Sequence, residues 1–279
     1  APAYTGLADA YIFKSTPLGA LASDIAWPKA KEAAETALRL NPNLSEAYVS
    51  LGAIATFYDW DREEANEYFK RAIELNPNNP NARLWYELML SLLDQAFDEG
   101  KNHLTAALNL DPLNYLIRLR IGYIYYYKYD FDTVIDYFRE MVQAEPGNAG
   151  AYHGLMDAYG QQGENDLAIK AGEKAVKLSN YAVPTVCLLG ATVARAGNNQ
   201  RAQELLSLML KRRETEYVSP FWIGVIYLGM KDYNKMYEWF EKAFTQRDGN
   251  LLYLFVPPFD DIREDQRFIK LRQKMGLKK

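Results

Sequence analysis

Two histidines, one cysteine and a few clustered carboxylates are the residues here with chemistry to offer. His103 and His153 lie 50 positions apart and neither belongs to a short-spaced Cys/His set, so a zinc site would have to be assembled wholly by the fold. Cys187 falls one repeat length beyond His153. A thiol and an imidazole so placed could act as nucleophile and base, although a small buried thiol is the commoner reading. Asp94, Asp98 and Glu99 sit between apolar stretches, where capping and solvation account for them better than acid–base work. Glycines occur singly, and neither a phosphate-cradling loop nor a G-x-S-x-G elbow is present. The residues point to a chain that is no enzyme, with no cofactor and no metal.

The composition narrows the class. The 279 residues carry 32 Lys+Arg against 36 Asp+Glu, a net charge of −4, with 49% hydrophobic residues. That apolar content exceeds what a disordered chain carries, and no run approaches the roughly 18 to 20 apolar residues of a membrane helix. A nucleic-acid partner is not expected, since the basic clusters are short, as at Lys211, Arg212 and Arg213. A single cysteine forms no intramolecular disulfide, and a cytoplasmic location is the expectation. The chain opens with Ala1 in what already reads as the first turn of a helix, so a removed upstream segment is expected.

The elements that must position any site follow from self-similarity. Prolines after an acidic or amide residue recur at Asn41-Pro42, Asn76-Pro77, Asp111-Pro112 and Glu145-Pro146, in steps of 35, 35 and 34. Each ends a helix, because proline lacks an N–H and biases the residue before it away from helical backbone. Five residues before each proline stand Ala37, Ala72, Ala107 and Met141, and eight before it Ala34, Phe69, Leu104 and Phe138. Such spacing marks one helical face. A preceding helix carries an aromatic-Leu-Gly pattern, as in Tyr48, Leu51, Gly52, and a small residue there implies a close neighbour.

These residues resemble the tetratricopeptide repeat family, helix-turn-helix units of 34 residues. The resemblance implies an all-α fold, an α-solenoid in which about seven units form a right-handed superhelix. The expected units are 1-44, 45-79, 80-114, 115-148, 149-182, 183-216 and 217-246, the first carrying about ten extra residues around Lys14 to Asp24. Residues 247-279 are expected to form a C-terminal capping segment. Ala-Pro-Ala-Tyr-Thr-Gly-Leu-Ala-Asp-Ala-Tyr at the start, Tyr217-Val218-Ser219-Pro220, and Arg263-x-Asp265-x-Arg267-Phe268 look like the C-terminal repeat modules of bacterial multidomain signalling proteins.

In the family, positions 2, 5, 9, 12 and 13 of each first helix face inward. Mapped here they are Val49, Ala53, Thr56 and Phe57, then Leu84, Leu88 and Leu92, then Leu119, Tyr123, Tyr126 and Tyr127, then His153, Asp157 and Gln161, and Arg195. The family's carboxylate clamp uses Lys and Asn on these positions. With Thr5, Val49, Leu84, Leu119 and His153 at the fifth, that clamp is not expected. Tyrosine is a frequent hot-spot residue, so Tyr123, Tyr126 and Tyr127, flanked by Leu88 and by His153, Asp157 and Gln161, are candidates to hold a segment of a protein partner. Core packing and groove lining both stay open for Tyr123 and Tyr127, and the groove is favoured for Tyr126. The expected function is a non-catalytic protein or peptide scaffold. Two alternatives are self-association through an exposed end or the groove, and a substrate-selecting array for an enzyme domain outside this chain.

Overall fold

The computed structural model of the chain describes residues 1–15, 21–257 and 259–277. Of the extra residues expected in the first repeat, 16–20 lie outside those described. Among the described residues there is no strand, and the helices come in pairs. The first pair is α1 (Pro2–Ser15) with α2 (Ser23–Leu40), then α3 (Ser45–Ile54) with α4 (Arg62–Leu75), and α5 (Pro80–Met89) with α6 (Phe97–Leu110). There follow α7 (Tyr115–Tyr127) with α8 (Phe131–Ala144), and α9 (Ala149–Gln161) with α10 (Asn165–Leu178). The last pairs are α11 (Val183–Arg195) with α12 (Asn199–Arg212), and α13 (Pro220–Gly229) with α14 (Tyr233–Thr245). Beyond them lie a 3-10 helix, Gly249–Phe255, and a closing helix α15 (Gln266–Lys274).

The periodic prolines act as expected. Helices α2, α4, α6 and α8 each stop two residues before the proline, and the next N–H returns to the carbonyl of Ala37, Ala72, Ala107 or Met141. Those four side chains are buried, which ties the stop signal to the packed face. The mid-helix glycines make room for the aromatic of the second helix. A Cβ on Gly52 would stand 2.7 Å from the Phe69 ring, and one on Gly224 would stand 2.5 Å from the Phe240 ring.

The two 35-residue repeats accommodate their extra residue in the same way. Helix α3 runs on into a π turn, Ala55–Asp59, and α5 into a π turn, Leu90–Asp94. Each ends on a non-glycine residue in left-handed backbone, Trp60 at φ 56° and Gln95 at φ 53°. No such turn interrupts α7, whose repeat has 34 residues. One inserted residue widens a helical turn from i→i+4 to i→i+5 bonding, and the left-handed residue closes it at a cost on the order of 1 kcal/mol.

The chain divides into two compact units. Unit 1 holds the described residues up to Ile124 together with those from Gln246 onwards, and unit 2 holds Tyr125–Thr245. Residues 247–279, expected to cap the array, are therefore grouped with the first repeats, and Gly249–Phe255 lies against both π turns.

Candidate protein-interaction faces

In unit 1 the side formed by the first helices is aromatic and apolar. Phe57, on the first π turn, stacks on Trp27 of α2 with centroids 6.2 Å apart and meets Trp85 of α5 edge-on at 5.9 Å. Leu84 is buried, while Leu88, Leu119 and Tyr123 are half-buried. Tyr123 has the Arg120 guanidinium 5.8 Å over its ring.

This face is covered by the chain itself. A Cβ on Gly249 would stand 2.6 Å from the Phe57 carbonyl oxygen, so only glycine lets the segment lie this close to the π turn. Arg247 donates to the Tyr58 carbonyl at 3.4 Å and lies 5.2 Å over the Trp60 ring. At the far end Gln95 Nε2 donates to the Phe255 carbonyl at 3.2 Å. Leu251, Leu252 and Leu254 between them are buried.

A buried ion pair sits in the same unit. Glu87 is 0% exposed, and its carboxylate accepts Arg120 Nε at 2.9 Å, Arg120 Nη2 at 2.8 Å and the Ser91 hydroxyl at 2.7 Å. Two parallel N–H bonds plus a hydroxyl offset the desolvation of both charges. Burial pushes the Tyr253 phenol above its ordinary pKa, with Arg120 opposing and Glu87 adding, so this tyrosine of the covering segment stands within the field of the pair. Glu87 was not among the sequence candidates. Its signal is the register: counting by repeats, the position of Gly52 becomes Glu87, then Gly122, and later Gly190 and Gly224. A carboxylate where four other repeats place glycine and one places Met156 needs a built partner, and Gly100 on α6 leaves it the space.

In unit 2 the corresponding side carries polar groups. His153, Asp157 and Gln161 follow at intervals of four along α9 and form one stripe. His153 Nε2 lies 3.5 Å from Asp157 Oδ2, with side chains 21% and 13% exposed. Gln161 Nε2 donates to the Tyr126 hydroxyl at 3.4 Å. Tyr126, favoured above as a groove residue, is only 2% exposed, packed edge-on against Tyr127 and Phe131. Burial raises its pKa well above the usual phenol value, Asp157 adds to this, and Arg195 and Gln161 oppose it. Tyr126 is thus the floor of the stripe, with Tyr127 buried beside it, and Arg195 is exposed at its rim.

The remaining chemical candidates are accounted for locally. Cys187 is fully buried and burial pushes its thiol far up, so no thiolate stands ready at neutral pH. His103 packs against the Tyr86 ring at 4.7 Å, and burial, then Arg83, lowers its pKa. Asp94 closes the second π turn and pairs with Arg62, and Asp98 and Glu99 lie in the first turn of α6, where carboxylates complement the helix dipole. Among the described residues no three His, Cys, Asp or Glu gather as a metal-holding group, and no helix is long and apolar enough to cross a membrane.

Comparison with known proteins bears on this arrangement. Residues 43–79 and 221–248 match the tetratricopeptide repeat profile. Among solved structures, a tetratricopeptide repeat protein from Parabacteroides merdae aligns over 99% of this chain and 100% of its own, at TM-score 0.58 and 14% identity. PilW, a type IV pilus biogenesis factor, aligns over 77% of this chain and 94% of its own, at TM-score 0.58 and 20% identity. Yeast Tom70 aligns over 88% of this chain but 53% of its own, at TM-score 0.59 and 19% identity. At these identities the likeness is one of fold. Comparison with curated protein sequences finds no match. Paired helices at a 34- to 35-residue period, with two stretches that match the profile directly, give this chain a fold similar to that of tetratricopeptide repeat proteins.

Proposed function

We propose that this chain is a non-catalytic scaffold that holds a segment of a protein partner on the inner side of unit 2. The observation that carries this reading is the partly open polar stripe His153, Asp157 and Gln161, with Arg195 at its rim, beside the buried ring of Tyr126. Polar groups set over a rigid aromatic floor offer orientation and buried area together, and a preformed face spares part of the ordering cost of binding. The likeness of three segments to bacterial signalling modules supports placing the scaffold in a larger regulatory protein.

The test is capture from source-cell lysate by the immobilised chain beside its D157A/Q161A/R195A form, after circular dichroism shows that both are folded. The reading expects a protein retained by the first and lost by the second. The same captured set on both would contradict it.

A second reading is favoured by α1, where Tyr4, Leu7 and Phe13 are 42%, 44% and 50% exposed. An exposed apolar helix end is a site for self-association. Sedimentation equilibrium would show a mass that rises with concentration and falls back in Leu7→Lys; a constant monomer mass would remove this reading.

A further inference from the structure

The covering segment of unit 1 has the marks of a ligand as well as of a cap. Its shape is set by its own residues: Asp248 Oδ1 accepts the Asn250 N–H at 3.1 Å and the Asn250 amide at 2.7 Å, starting the 3-10 helix. Between segment and face, polar bonds stand at the two ends, Arg247 on Tyr58 and Gln95 on Phe255, with the buried leucines between them. That is how a groove holds a short peptide, by backbone anchors at the ends and apolar side chains in the middle.

The receiving side is specialised too. The segment meets the π turns of the two repeats with an inserted residue. π-Expanded turns inside helices gather at functional sites. A cap has only to shield apolar surface, which needs neither a π turn in each of two repeats nor a buried Glu87–Arg120 pair.

We propose that the inner face of unit 1 is a binding site for a short apolar segment with an aromatic residue near its end, occupied in cis by this chain's own residues 247–256, and that a protein bearing a like segment enters only by displacing them. The occupant is this chain's segment; this site is independent of the stripe on unit 2.

The experiment adds a fluorescein-labelled synthetic peptide of residues 246–257 to the full chain and reads anisotropy. In the wild type the resident segment competes at high effective concentration, so uptake is weak. Gly249→Val drives a side chain into the Phe57 carbonyl and unseats the resident, so it is expected to bind the peptide at least about ten-fold more tightly. A Gln95→Leu, Arg247→Ala chain, which loses the polar anchors but no apolar contact within the repeats, is tested in parallel against loss of folding in the first variant. Its uptake is also expected to exceed that of the wild type. A peptide carrying Gly249→Val should bind none of them. The proposal is overturned if both folded variants leave the peptide free, or if α3 to α6 lose amide protection together with the segment. It is also overturned if the wild type forms a concentration-dependent dimer by exchanging segments, which would make a second copy the occupant.

Discussion

In unit 1 the inward positions carry Phe57, Leu84 and Leu88, and the chain lays its own residues 249–255 over that side. In unit 2 they carry His153, Asp157, Gln161 and Arg195, which remain partly open. The repeat is the same; the side chains it presents differ. An apolar face left in water is unfavourable in proportion to its area, so unit 1 needs a cover, whereas the partly exposed polar groups of unit 2 carry less of that cost. Within one repeat fold the choice between a covered and an open face therefore rests on a few inward residues and on one inserted residue in each of two repeats.

The largest effect that separates the units belongs to the ion pair of unit 1. Arg120→Ala leaves Glu87 buried without its bidentate partner, a loss of about 3 to 5 kcal/mol. Thermal melting should fall on the order of 10 °C. The double change Glu87→Leu, Arg120→Leu should recover most of that loss, and a double variant no more stable than Arg120→Ala would count against the pair as the cause. Next in size are the glycines. Gly52→Ala in unit 1 and Gly224→Ala in unit 2 each press a methyl group into a phenylalanine ring, costing about 1 to 3 kcal/mol by denaturant titration. Equal losses in the two would show that helix pairing is common to both units.

A smaller effect tests the pH response of unit 1. His103 has its pKa lowered in the fold, so the unfolded chain takes up a proton near pH 6.5 that the folded chain refuses. Stability from this group is complete above that value and declines as pH falls below it toward the lowered folded value. Melting followed between pH 7.5 and 5.5 should show a decline of about 1 °C that His103→Phe removes. A variant that declines as steeply as the wild type would rule out His103. Smallest of all, Arg195→Ala at the exposed rim of the stripe should leave stability within about 0.5 kcal/mol by the same melting assay. A larger drop there would mean that the stripe is a packed element.

The repeat was legible because its signals are local. Pro42, Pro77, Pro112 and Pro146 stop helices wherever the chain goes, and Ala37, Ala72 and Ala107 report their faces through spacing alone. The π turns left one trace, the 35-residue steps, but nothing in Ala-Thr-Phe-Tyr-Asp or Leu-Ser-Leu-Leu-Asp distinguishes an expanded turn from an ordinary one. Tyr126 shows the limit of reading faces by periodicity. An inward register places it on the groove side, yet whether its ring is floor or surface depends on Phe131 and Gln161, the latter 35 residues away. The seat of residues 249–255 was out of reach for the same reason, since the segment meets partners such as Phe57 and Gln95 more than 150 positions earlier. Glu87 was readable in principle, as a carboxylate standing in a glycine register.

The central claim is that unit 1 is covered by its own chain. Hydrogen–deuterium exchange on the wild type and on Gly249→Val measures it at the segment itself. The account predicts that the amides of 249–256 are protected in the wild type and lose protection in the variant, while α9 to α12 of unit 2 exchange alike in both. Wild-type amides of 249–256 exchanging at the rate of an unstructured chain would contradict it.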